Sequence, residues 1–160
     1  MPEVPALTVP ALTVLAPLGG VVTAMADVPD PVFGAEIVGP GLAIDPPRNG
    51  VVDVVAPIAG TIVKMHPHAF VVSGGGHATL VHLGLDTVQL AGVGFTLFAK
   101  EGDVVAAGDL VVSWAPAEVE AGGRSPICPI VALEGAPGSV TPSAAVGTAV
   151  RAGEALFVWS

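Results

Sequence analysis

The stretch LAPLGGVVTAM, residues 15–25, returns forty residues later as VAPIAGTIVKM, residues 55–65. Both copies run apolar-Ala-Pro-apolar-small-Gly into a β-rich segment ending on methionine. A second echo pairs EGDVVAAGDLVV (101–112) with VGTAVRAGEALFV (146–158), each with two glycines six residues apart. Two hairpin-like units, each written twice, predict a sheet structure with internal pseudo-duplication. A solenoid would need at least three copies, and each unit occurs only twice.

Strand signals recur outward from these repeats at 20–24, 51–55, 60–65, 69–73, 78–83, 86–90, 103–106, 110–114, 129–133 and 155–159, separated by Gly, Pro, Asp and Asn. Most apolar runs are rich in Val and Ile, and none keeps a 3.6-residue period over three turns. The expected fold is all-β, an antiparallel sandwich or barrel. Residues 134–140 and 117–124 read as loops, the second with one helical turn. VPALTVPALT (4–13) is a five-residue unit written twice, and its prolines resist both helix and central strand. Residues 1–12 are therefore expected to be a flexible tail and 13–160 the compact domain.

A chain of 160 residues with 52% hydrophobic content has enough apolar material for a real core. Five basic residues stand against 14 acidic ones, and a net charge of −9 repels a nucleic-acid backbone while steering basic protein partners inward. Cys128 is the single cysteine, so an internal disulfide and a cysteine-rich zinc site are both excluded. No apolar run reaches the roughly 18–20 residues that span a bilayer, and the N-terminus lacks a basic signal region. Cytoplasm is the expected compartment.

All four histidines, 66, 68, 77 and 82, fall within 17 residues around VVSGGGHA (71–78). With Gly74, Gly75 and Gly76 as a three-residue hairpin loop, Ser73 faces His77 and His68 faces His82, which puts two imidazoles on one side of an antiparallel pair. No Lys-Ser/Thr follows the glycines, so they read as turn rather than phosphate cradle. His77 reads as a solvated turn residue, and Pro67 marks a bend between His66 and His68. A neutral imidazole with one free nitrogen is a nucleophile at pH 7, and a second imidazole can steady an anionic group in transit. The same pair could hold zinc with Asp86 as a third ligand.

VHLGLDTVQLAGVGF (81–95) and DVPDPVFGAEIVGPGLAI (27–44), followed in order by APIAGTIVKM, HAFVV and EGDVVAAGD, resemble the glucose-type enzyme IIA domains of the bacterial phosphoenolpyruvate-dependent sugar phosphotransferase system. The resemblance covers roughly 13–160 and implies an antiparallel β-sandwich. It further implies that His82 accepts phosphate from the phosphocarrier protein HPr and donates it to a IIB cysteine, in service of a IIB/IIC sugar permease. On the same basis His68 would be the catalytic companion, and Gly84 would offer its carbonyl to His82. Val32, Phe33, Ile37, Val38, Leu80 and Val88 would form an apolar docking rim edged by acids that include Asp30 and Asp86. At KMHPHAF the chain departs from the family, with His66 standing where a threonine is common, beside the companion histidine. No cofactor is required in this reading, though zinc at His68 and His82 is an open alternative. The rival activity is a zinc metallopeptidase, suggested by the His-x-His of HPH. A biotinyl- or lipoyl-type carrier is disfavoured because no lysine lies between methionines at a hairpin tip.

Overall fold

A computed structural model describes residues 11–160. The predicted tail therefore lies outside the described residues except at its end, where Leu12 already opens a strand. The first unit comprises β1 (Leu12–Leu15), β2 (Gly20–Ala24) and β3 (Gly41–Asp45), and it recurs as β4 (Val52–Val55), β5 (Gly60–His66) and β6 (Ala69–Gly74). The second comprises β7 (His77–His82), β8 (Phe95–Leu97), β9 (Val104–Val105) and β10 (Leu110–Trp114). It recurs as β11 (Cys128–Ala132), β12 (Val140–Pro142), β13 (Ala149–Val150) and β14 (Ala155–Trp159). Two short helices, α1 (Pro31–Gly34) and α2 (Pro116–Ala121), sit in the connections.

One large sheet has the order β13-β2-β3-β11-β7-β6-β5-β9, and two small sheets run β1-β14-β12 and β4-β10-β8. Exchanging each strand for its repeat leaves the large order reading the same backwards, while the two small sheets trade places. The duplication expected from the sequence is thus a pseudo-two-fold of the whole fold. Backbone hydrogen bonds obey the same exchange. Leu15 N–H donates to Pro57 O at 2.9 Å and Val55 N–H to Pro17 O at 2.8 Å, so the two Ala-Pro segments clasp each other. Each proline lacks an N–H, but its carbonyl remains available as an acceptor. The glycine closing each segment is required by close approach: a Cβ on Gly20 would collide with the Asp45 carbonyl, and one on Gly60 with that of Ser73.

The strand pairs are antiparallel throughout, and the small sheets cover the inner face of the large one to make a β-sandwich. Val14, Phe157 and Trp159 from one small sheet and Val54, Val112 and Trp114 from the other join Val22, Ile44, Ile62, Phe70, Val81 and Ile130 in one buried cluster. Each such fully buried side chain contributes about 1.5–3 kcal/mol of transfer free energy.

The strand expected at 86–90 is instead a 3₁₀ turn, Thr87–Leu90. Asp86 turns the chain at φ 57°, and the Thr87 hydroxyl donates to Leu83 O at 2.7 Å, curling the segment back on itself. Strands at 12–15, 41–45, 95–97, 140–142 and 149–150 were not expected, while helix α2 supplies the helical turn expected within 117–124.

Candidate functional site

The β6–β7 hairpin turns on two glycines rather than three. Gly75 and Gly76 both take positive φ, 61° and 82°, as a tight two-residue hairpin turn demands, and Gly74 stays in the ladder opposite His77. The register therefore moves by one residue from expectation: Ser73 faces Ala78 and His82 faces Ala69. His68 nevertheless reaches His82, because Pro67 and His68 form the turn between β5 and β6. Outside the strand, the side chain is released from alternation. Leu83 N–H donates to His68 O at 2.7 Å and fixes that turn against the end of β7. The two rings meet edge to face, with centroids 5.2 Å apart and planes at 76°.

On β7 the buried Thr79 and Val81 point into the core, so Leu80 and His82 share the outer face. His82 Nδ1 lies 2.6 Å from Gly84 O. A carbonyl only accepts, so Nδ1 carries the proton and Nε2 keeps its lone pair. Gly84 holds its carbonyl there at φ 76°, and Leu85 N–H donates to Ser125 O at 2.8 Å to anchor the loop.

Burial pushes the His82 imidazolium below the usual histidine range, partly opposed by the Gly84 carbonyl and by the charges of Asp30 and Asp86. His68 is pushed down to about 4, first by burial and then by repulsion from His82 and His66. Both imidazoles are neutral at pH 7. His66 is exposed, and its ring lies tilted by 30° against His68 with centroids 5.8 Å apart.

Phe33 also lies against His82, ring centroids 5.1 Å apart and planes tilted by 56°. Its placement follows from a local signal: the Asp30 carboxylate caps α1, accepting from Val32 N–H at 2.9 Å and Phe33 N–H at 3.2 Å, with Pro31 at the first helical position. Phe33, Val38 and Leu80 are half-buried on a second apolar cluster made by Met25, Val28, Ala43, Leu85, Ile127 and Val131. Val32, Ile37 and Val88 stand out at 41%, 70% and 64% exposure, so the face around His82 is apolar with free hydrocarbon at its edge. Asp86 is exposed beside it.

Sequence reasoning overlooked Thr87, whose buried hydroxyl closes the loop that carries Gly84, and Leu133, which packs beside Val38. The Asp-Pro start of α1 was a legible cap signal for the placement of Phe33. Asp86 does not complete a metal site with the two histidines: among the described residues, no group of three or more His, Cys, Asp or Glu is placed to hold a metal ion. No helix among the described residues is long and apolar enough to cross a membrane. Cys128 is fully buried in the core, where desolvation pushes its thiol far up and leaves it inert.

The chain is similar to known proteins in both sequence and fold. The family described as phosphoenolpyruvate-dependent sugar phosphotransferase system, EIIA 1, matches residues 12–136. The glucose-specific EIIA component of Halalkalibacterium halodurans is 44% identical over 121 residues, covering 74% of this chain and 68% of that protein. Its counterpart from Oceanobacillus iheyensis is 41% identical over 123 residues, covering 75% and 73%. The solved glucose permease IIA from Mycoplasma capricolum superposes with a TM-score of 0.80 at 33% identity, covering 93% of this chain and 96% of that one. None of these similarities supports the metallopeptidase alternative.

Proposed function

Because the chain belongs to the EIIA 1 family of the sugar phosphotransferase system, we propose that His82 is the residue through which it carries a phosphoryl group from HPr to a IIB cysteine. The observation that carries this reading is the 2.6 Å bond from His82 Nδ1 to Gly84 O, with the His68 ring 5.2 Å away. That bond dedicates Nε2 to attack. The Nε2 lone pair forms the new N–P bond while the donor's N–P bond breaks, its electron pair returning to the donor ring, which is already protonated at its other nitrogen and so leaves as a neutral imidazole. In the second half a thiolate of the IIB domain attacks phosphorus, and the pair of the breaking bond returns to Nε2. Nδ1 keeps its proton throughout.

His68 supplies stabilisation. It is a neutral imidazole, and it donates one N–H to the phosphoryl oxygens as charge shifts between the leaving and entering groups. The arriving dianion favours the protonated form of this ring, and proton uptake from solvent would turn that bond into a charge-assisted one. No cofactor takes part in this scheme. The apolar face of Phe33, Val38 and Leu80 seats the partners, while Asp30 and Asp86 at its edge attract their cations. In this reading the protein works in the cytoplasm and meets the membrane only through its permease, for which glucose, the sugar named for the relatives, is the first to test.

Incubation with phosphoenolpyruvate, enzyme I and HPr should label the unaltered protein and leave His82→Ala unlabelled. Normal labelling of that variant would overturn the assignment.

A further inference from the structure

The segment between α1 and β3 (residues 35–40) and the turn after β11 (133–139) are joined by backbone bonds from Glu134 N–H to Val38 O at 2.9 Å and from Ala132 N–H to Pro40 O at 2.8 Å. Between them opens a groove of about 450 Å³ lined by Glu36, Ile37, Val38, Leu133, Glu134 and Pro137. We propose that this groove seats an arginine or lysine of a protein partner, its methylenes against Ile37 and Leu133 and its charge on the carboxylates of Glu36 and Glu134. The proposal rests on the docking role given above to the face around His82 and extends that face in a new direction.

Continuity comes first. Val38 and Leu133 pack on the same apolar cluster as Phe33 and Leu80, and Phe33 lies 5.1 Å from His82. The groove and the face around His82 are therefore built on one apolar cluster, which a partner seated over that ring can follow. Charge decides what kind of side chain fits. Glu36 and Glu134 are both exposed on the rim, and among the described residues neither takes part in an ion pair, whereas Arg48 is held by Asp45 and Glu120 and Arg124 by Gln89. Ile37 is 70% exposed and leaves hydrocarbon open beside those carboxylates. An acidic side chain would be repelled, and a purely apolar one would leave the carboxylates without a counter-charge. A basic side chain satisfies both parts of the lining, because its stem lies on apolar surface while its head stays near water and charge.

Titrating unphosphorylated protein with HPr and following Ile37 and Leu133 by NMR tests the groove whether or not His82 takes phosphate, so the two readings fail separately. Glu36→Gln combined with Glu134→Gln should weaken binding about threefold to tenfold at low salt, the range expected of partly exposed ion pairs at an interface edge. The difference should shrink below about twofold at high salt, where screening shortens the reach of charge to a few ångströms. Ile37→Ser should weaken binding at both salt concentrations. An unchanged low-salt affinity in the double variant, or Ile37 and Leu133 signals that do not move on titration, would overturn the proposal.

Discussion

Replacing Gly84 by alanine tests whether the loop that orients His82 is as tightly specified as its geometry implies. At φ 76° an L-residue is in the left-handed region, which costs about 1–2 kcal/mol. Crowding comes on top of this. The added Cβ would stand 2.8 Å from Thr87 Cγ2 and 3.0 Å from Ser125 O, against ordinary carbon contacts of about 3.5–4.0 Å. Neither neighbour yields easily: Thr87 is buried and bonded to Leu83 O, and Ser125 O accepts from Leu85 N–H. Forced repacking of this kind costs about 1–3 kcal/mol, so Gly84→Ala should lose about 2–5 kcal/mol in urea unfolding. Gly75→Ala is the control, since it shares a positive φ of 61° but has nothing within 4 Å of its would-be Cβ. It should lose only about 1–2 kcal/mol. In the folded fraction of Gly84→Ala the displaced carbonyl leaves His82 Nδ1 without its acceptor, and phosphate acceptance should slow. Equal stability losses for the two variants, together with normal phosphate acceptance by Gly84→Ala, would refute the reasoning.

His68→Ala should slow single-turnover phosphate transfer by about 10²–10³, with the unfolding midpoint little changed. The lowered His68 also predicts a pH dependence of stability. The unfolded chain binds the proton near pH 6.5 and the folded chain only near 4, so stability is full above about 6.5 and declines as pH falls through that window. An NMR titration of the His68 ring checks this, and an ordinary midpoint near 6.5 would contradict it. Phe33→Ser should weaken HPr binding in an NMR titration by at least about fivefold while the fold persists, because truncating a central aromatic contact costs more than about 1 kcal/mol.

The duplication was legible because it is written in letters: Ala-Pro and paired glycines recur at fixed offsets, and these are the residues whose backbone geometry makes the clasp and the hairpins. The closeness of His68 and His82 was also foreseen, but through the wrong register. Three consecutive glycines do not announce which of them stays in the ladder, and only the positive φ of Gly75 and Gly76 settles it. What brings the rings together is Pro67, which ends β5 and sets His68 in a turn. Residues 86–90 looked like a strand because Thr-Val-Gln-Leu alternates as a strand does, whereas the turn depends on Asp86 at φ 57° and on a side-chain bond four residues back. Strands of two or three residues, such as 149–150, are too short to display a period. Thr87 and Leu133 matter through contacts made across the fold, and no local pattern carries that information.

The pseudo-two-fold has a bearing on how a partner can approach. Ala69 faces His82 as Gly41 faces Val131, and Leu83 N–H meets His68 O at 2.7 Å as Ala132 N–H meets Pro40 O at 2.8 Å. The twin of His82 is therefore Val131, and the twin of His68 is Pro40; both twins are buried. A visitor that recognised only the backbone frame would find two equivalent landings half a turn apart, and at one of them its phosphate would arrive over hydrocarbon. The side chains break that tie. With His82 as the proposed phosphoryl carrier, one twin is the reagent and the other part of the apolar bed beside it, so the same exchange that builds the sheet would leave a single productive orientation on it.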